Sequence, residues 1–196
     1  MKNVFNVSNT WFTSDLHFWH KNICKYCNRP YADVELMNEA LVANWNGVVQ
    51  PYDDVIILGD LGFCGYEKLS DLISRLNGRK YLIQGNHDSD KIVKRLKENY
   101  LIADCERLQT IKMIGDEEIS EQELVLCHFP MLDWDNKAKG SWMIHGHQHQ
   151  LSNTPSCTPL HYDVGVDKNN WTPINFETIK TNITKQLLYE QTYIAV

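Results

Sequence analysis

The sequence predicts an α/β domain whose strands end at one functional rim. Three patterns carry that expectation. Short, continuously apolar runs bounded by glycine recur along the chain and read as buried strands. Segments with apolar residues three to four positions apart fall between them, as a βαβ arrangement requires. Each apolar run also stops at residues able to carry chemistry, and open α/β sheets hold their ligands beyond the carboxyl ends of the strands.

The first run, residues 10–14, leads into Asp15. Between Asp33 and Val49, the spacing of Met37, Leu41, Trp45 and Val48 predicts a helix. A strand over 55–58 then reaches Gly59 and Asp60, and Leu69, Leu72, Ile73 and Leu76 mark a second helix that stops at Asn77-Gly78. The run at 81–84 precedes Gly85-Asn86-His87-Asp88. Ser89 is the expected N-cap of a third helix, with Ile92, Val93 and Leu96 inward and Lys91, Lys94, Arg95 and Lys97 on a solvated face. After residue 100, strand-like alternation predicts a hairpin between 108–114 and 121–127, turning at Gly115-Asp116-Glu117-Glu118. Residues 124–127 run into His128, and 142–144 precede the final histidines. Asp163-Val164-Gly165-Val166-Asp167 reads as a strand ending in a turn with structural acids, and 178–196 fits helix and strand equally.

A length of 196 residues with 43% hydrophobic content supports one sizeable core, and no linker divides residues 1–196, so a single domain is expected. No apolar run is long enough for a membrane span and no signal-peptide segment stands at the start, which makes a cytoplasmic location the expectation. The six cysteines lack the density of a disulfide scaffold, so reduced thiols are expected, and Cys24-Lys25-Tyr26-Cys27, without a second such pair, is not taken as a metal site. Nineteen basic against 25 acidic residues give a formal charge of −6, which argues against tight binding to a nucleic-acid backbone and for a small phosphorylated substrate.

Five clusters hold metal-ligand residues: Asp15-Leu16-His17, Gly59-Asp60-Leu61-Gly62, Gly85-Asn86-His87-Asp88, Cys127-His128-Phe129-Pro130 and Gly146-His147-Gln148-His149. Together they offer carboxylate, amide and imidazole donors for two cations. Such a pair, roughly 3.5–4 Å apart, acidifies a water and neutralises phosphoryl oxygens, which suits phosphate-ester hydrolysis. Asp60, between the two halves of the set, is the natural bridge.

In this order the clusters resemble the signature of the calcineurin-like metallophosphoesterase superfamily, D-x-H, G-D-x-x, G-N-H-D/E, H and G-H-x-H, and the stretch from Phe18 to Pro30 is similar to its small, uncapped bacterial or phage-type members. The resemblance implies a four-layer αββα sandwich of two mixed β-sheets flanked by helices. It implies that Asp15, His17 and His149 hold one metal and Asn86, His128 and His147 the other, with Asp60 bridging, and that a bridging hydroxide attacks phosphorus. The donors suit two divalent ions, Mn favoured, with Fe, Zn or Ni compatible. His87 would serve the leaving oxygen as a catalytic residue, with Asp88 fixing its orientation.

Around this set, His20, Arg29 and Asn86 are placed on the substrate side, although Arg29 and Lys21 also read as surface charges. His145, two residues before His147, would share its face on a strand and is expected to be structural; His161 has no chemical context. Phe18, Trp19, Phe63, Tyr66 and Trp134 fit loop packing better than base stacking. Only 39 residues separate Asp88 from His128, too few for a cap, so short loops, or a second subunit in a homodimer, would set specificity. The expected substrate is a small phosphodiester or phosphomonoester, nucleotides and cyclic nucleotides included. A nuclease and a non-catalytic scaffold of the same fold are the competing readings; the full ligand set and His87 weigh against the scaffold.

Overall fold

The computed structural model describes residues 2–115, 122–149 and 158–193. Its elements run β1 (Val4–Asn6), β2 (Thr10–Thr13), α1 (Ile23–Tyr26), α2 (Val34–Val48), β3 (Asp54–Ile57), α3 (Tyr66–Ser74), β4 (Arg79–Ile83), α4 (Asp90–Glu98), β5 (Asp104–Glu106), β6 (Leu108–Ile114), β7 (Gln122–Cys127), β8 (Trp142–His145), β9 (His161–Asp163), β10 (Ile174–Asn175) and α5 (Phe176–Tyr193). They form two mixed five-stranded sheets flanked by helices, in the orders β10-β2-β3-β4-β5 and β1-β6-β7-β8-β9. In the first sheet only β10–β2 is antiparallel, and in the second only β6–β7.

The continuous apolar runs follow from this layering. Val55 and Ile57 of β3 face a cluster built with Met37, Leu41 and Trp45 of α2 and Leu69, Leu72 and Ile73 of α3. The alternate residues Ile56 and Leu58 join Phe12 and Ile83 against Phe5, Leu124, Leu126 and Ile144 of the other sheet. A strand covered on both faces cannot alternate with polar residues, so it reads as one hydrophobic block. α5 buries Phe176, Ile179 and Ile183 in the inter-sheet cluster and lies against β9, β10 and β2, at the edge of both sheets. Residues 178–193 are therefore helical, which resolves the ambiguity of that stretch in the sequence; 194–196 lie outside the described residues.

Local signals set the helix ends. Asp33 caps α2 by accepting the Leu36 amide at 2.7 Å. Ser89 holds the N-cap position of α4 as expected, although its side chain makes no capping bond. β6 and β7 pair as the expected hairpin, Leu108 opposite Cys127, while positions 116–121 of its turn fall outside the described residues. Among the described residues no helix is long and apolar enough to cross a membrane.

Trp45 is fully buried and its indole N–H donates to the Asn77 carbonyl at 3.0 Å. Trp45→Ala leaves both a cavity and an unpaired carbonyl under the first sheet, and should lower unfolding free energy by about 3–5 kcal/mol in urea denaturation. A loss under about 1 kcal/mol would show that α2 contributes little to holding that sheet.

Candidate metal centre

The carboxyl ends of β2, β3, β4, β7 and β8 meet at one rim, and main-chain bonds weave their loops together. Asp15 N–H donates to Gly59 O (3.0 Å), His17 N–H to Asp60 O (3.0 Å) and Gly146 N–H to His128 O (3.0 Å). Asp15, His17, Asp60, His147 and His149 all adopt left-handed backbone conformations, with φ between 48° and 72°. Asp and His tolerate this region better than most residues, yet each instance costs on the order of 1–3 kcal/mol and persists only where its surroundings dictate it. Similar φ values occur elsewhere, at Trp19, Asn28, Tyr100, Asn136, Asn170 and Trp171, but five of them fall on the residues singled out as ligands, which concentrates the strain at the rim.

Two donor groups share one carboxylate. His149 Nε2 lies 3.7 Å and His17 Nε2 3.9 Å from Asp15 Oδ1. Asp60 Oδ2 lies 3.6 Å from His17 Nε2 and 3.5 Å from His128 Nε2, between the two halves. Asn86 Oδ1 stands 3.0 Å from His128 Nε2. His147 joins that side less closely, its ring centroid 5.1 Å from that of His128 while its amide donates to Asp15 Oδ2 at 3.0 Å.

The donor chemistry fits cations. His128 Nδ1 faces the Leu58 carbonyl at 2.7 Å and His149 Nδ1 faces Asp167 Oδ2 at 2.7 Å; both partners only accept, so Nδ1 carries a proton and Nε2 is the nitrogen left to face a cation. His128 Nε2 and Asn86 Oδ1 meet at 3.0 Å and so address the same space, where a cation would take the place of the Nε2 proton. Asp15 Oδ2 is satisfied by Ser14 Oγ (2.6 Å) and the His147 amide, whereas fully buried Oδ1 has no hydrogen-bond partner among the described residues. Burial pushes the Asp15 carboxyl up to about 6 against the pull of His149, and takes His17 down to about 3 against the pull of Asp60. Burial would also raise Asp60, but the His128 ring, the His87 amide and His17 outweigh it and hold this carboxyl at about 2.

His87 stands outside both groups. Its amide donates to Asp60 Oδ1 at 3.0 Å, and its exposed ring lies 5.7 Å from that of His17 and 4.6 Å from that of Phe63. His20 stacks on Phe63 at 4.1 Å and is thus part of the same wall. Behind that wall is a cavity of about 170 Å³ lined by Phe63, His87, Leu61, Leu69, Ile92 and Val93.

Two expected roles are corrected. Asp88 does not orient His87: its Oδ2 accepts the amides of Asp60 (2.9 Å) and Gly85 (2.8 Å), and its Oδ1 that of Leu61 (2.8 Å). The carboxylate faces the turn beneath the ligands and fixes Asp60 instead. Arg29 is neither a substrate contact nor a surface charge. It is 4% exposed, and its donors are taken by Asp167, by the carbonyls of Asp15 and Leu16 and by the Met37 sulfur, which leaves nothing for a substrate. Sequence reasoning passed over Asp167 as a support for His149, although the strand-turn at 163–167 follows close on the last motif. Buried Cys27 also lies beside His149 and Asp167.

The remaining histidines and aromatics are structural. β8 ends at His145 and His147 is left-handed, so the two do not share a strand face; His145 is buried, its Nδ1 2.9 Å from Gly146 O. His161 packs 4.8 Å from the Trp134 ring, and burial lowers it to about 4. Trp134 is buried, donating to Ser141, whereas Phe63 and Phe129 stay half-exposed on opposite sides of the ligand set.

The family profile described as calcineurin-like phosphoesterase matches residues 8–191. The chain is 34% identical to an uncharacterized protein of Methanocaldococcus jannaschii over 178 residues, covering 88% of this chain and 89% of that protein. It is 32% identical to the gene 66 protein of Mycobacterium phage L5 over 186 residues, covering 82% and 87%. Among solved structures, a protein of unknown function from Aquifex aeolicus superposes with a TM-score of 0.67 at 25% identity, covering 88% of this chain and 97% of the other.

Close packing around the donors makes one glycine diagnostic. A Cβ on Gly85 would collide with Asp60 Oδ1 and come within 2.7 Å of the Asp60 amide nitrogen. Gly85→Ala should weaken Mn²⁺ binding by about ten-fold or more in calorimetric titration while circular dichroism stays that of the parent. Parental affinity would show that the Asp60 position is not tightly set.

Proposed function

The chain belongs to the calcineurin-like phosphoesterase family, whose members are hydrolases, and on that premise we propose that it hydrolyses a small phosphodiester or phosphomonoester with the help of two divalent cations. The observation that carries this reading is Asp60 Oδ2, 3.6 Å from His17 Nε2 and 3.5 Å from His128 Nε2, because one shared carboxylate between two donor groups is what a cation pair requires. Two cations held there supply an acidified water and neutralise the phosphoryl oxygens.

The chain's own residues divide the remaining work. Asp15, His17 and His149 hold one cation and Asn86, His128 and His147 the other, with Asp60 common to both. Mixed imidazole, carboxylate and amide donors suit Mn, Fe, Zn or Ni without choosing among them, and Mn is the metal proposed. His87 is tied through its amide to Asp60 but leaves its ring free, so its imidazole delivers a proton to the departing oxygen. The cavity behind His87 and Phe63 receives part of the leaving group, and its Leu61, Leu69, Ile92 and Val93 walls, with Ser89 and the Asp88 carboxylate beside them, favour an uncharged, partly apolar alcohol. A formal charge of −6 supports a small ester over a nucleic-acid backbone.

Metal-stripped protein should be inactive toward bis-p-nitrophenyl phosphate and p-nitrophenyl phosphate, and added Mn²⁺ should restore turnover; whichever ester is cleaved faster separates diesterase from monoesterase. His87→Ala should lower kcat by about 10²–10⁴-fold with metal content unchanged. Inactivity on both esters at full metal load would overturn the proposal, and an unaltered kcat in His87→Ala would remove that residue from the chemistry.

A further inference from the structure

The first donor group depends on a residue that touches neither metal nor substrate. Arg29 is carried by the loop after α1, yet its side chain, like that of Asp167, is fully buried. Nε and Nη2 donate in parallel to Asp167 Oδ1 and Oδ2, both at 2.8 Å, in the two-pronged geometry only arginine offers. Nη2 also donates to the Asp15 carbonyl (2.7 Å) and Nη1 to the Leu16 carbonyl (2.9 Å). These carbonyls belong to the two peptide units linking Asp15 to His17, both left-handed. Asp167 Oδ2 in turn accepts from His149 Nδ1 at 2.7 Å. All three ligands of one half, Asp15, His17 and His149, are therefore fastened to a single guanidinium. No contact described for Arg29 reaches Asn86, His128 or His147.

We infer that Arg29, with Asp167, is the positioning pair of the first metal half alone, so that its loss separates the two cation sites instead of abolishing both. This deepens the proposed function and rests on it. The pair's opposite charges cancel, so it orients His149 and the Asp15–His17 backbone without adding net charge against the cation; the ligand charge remains that of Asp15 and Asp60. A lysine retains the positive charge but cannot make the parallel bonds to Asp167 while holding two carbonyls.

Mn²⁺ titration of the metal-stripped full chain, read by calorimetry and electron paramagnetic resonance, tests this. Wild type should bind two equivalents and show the coupled signal of a neighbouring pair. Arg29→Lys should bind one equivalent with parental affinity and the second about 10–100-fold more weakly, and at two equivalents should show the six-line signal of an isolated ion. Adding His128→Ala, which impairs the other half, should remove the remaining tight binding. If Arg29→Lys does not fold, Asp167→Asn, which preserves volume, is read in the same way with the same expectation. Two parental affinities and a coupled signal in a folded variant overturn the inference while leaving the phosphoesterase reading intact. Equal weakening of both sites, or failure of both variants to fold, also overturns it, since the pair is then a general staple. A wild type that binds no Mn²⁺ overturns the phosphoesterase reading itself.

Discussion

The metal centre rests on holding charged ligands in backbone conformations that the chain would not otherwise choose, and the Asp88 carboxylate is the clearest instrument of that constraint. It gathers the amides of Asp60, Leu61 and Gly85 at 2.8–2.9 Å, pinning the turn after β3 to the turn after β4. Hydrogen bonds to a charged group contribute roughly 1.5–3 kcal/mol each, against about 1–3 kcal/mol for a left-handed Asp60, so three of them win comfortably. Burial raises the Asp88 pKa while the three amides oppose it, as expected of an anion kept inside by main-chain donors.

A comparable fixture serves each part of the set, and the fixtures come from different parts of the chain. Asp88 secures the bridge, Leu58 O fixes His128, and the Arg29–Asp167 pair secures Asp15, His17 and His149. Because β2, β3 and β4 lie in one sheet and β7 and β8 in the other, each proposed donor group draws on both sheets, and its closure depends on how the sheets stack. Ile56 and Leu58 against Leu124 and Leu126 form that contact, and the following residues carry Asp60 and His128. Interiors packed this closely transmit sub-ångström displacements, so changes in the inter-sheet core propagate to the bridge.

Legibility in the sequence followed the range of the interaction responsible. Strands buried on both faces and helices with a single buried stripe announce themselves within ten residues, and 34–48, 54–57 and 90–98 were readable for that reason. The candidate ligands stood out because they follow the ends of such strands, with Asp60, Asn86 and His147 directly after glycine. Arg29 and Asp88 were misread because their partners are set by the fold: Arg29 meets Asp167 across 138 positions, and Asp88 turns back on Asp60 across 28. A charge in a loop carries no local mark of being buried, and neighbouring positions, as with His87 and Asp88, say nothing about whether two side chains meet.

The two sides of the cleft are built to different tolerances, and this bears on what sets specificity. On the ligand side Asp15, Asp60, His128 and His149 are each held by a directional hydrogen bond, which suits cation binding, where misplacement is costly. On the side proposed for the leaving group, His87, His20 and half-exposed Phe63 contact one another through ring faces instead of directional bonds. Ring contacts slide at little cost, so this wall is less rigidly set than the donors, while His87 is anchored through its amide to Asp60. Under the proposed function, discrimination among leaving groups falls to the cavity behind the wall, where apolar Leu61, Leu69, Ile92 and Val93 stand beside Ser89 and the Asp88 carboxylate and disfavour a second anion.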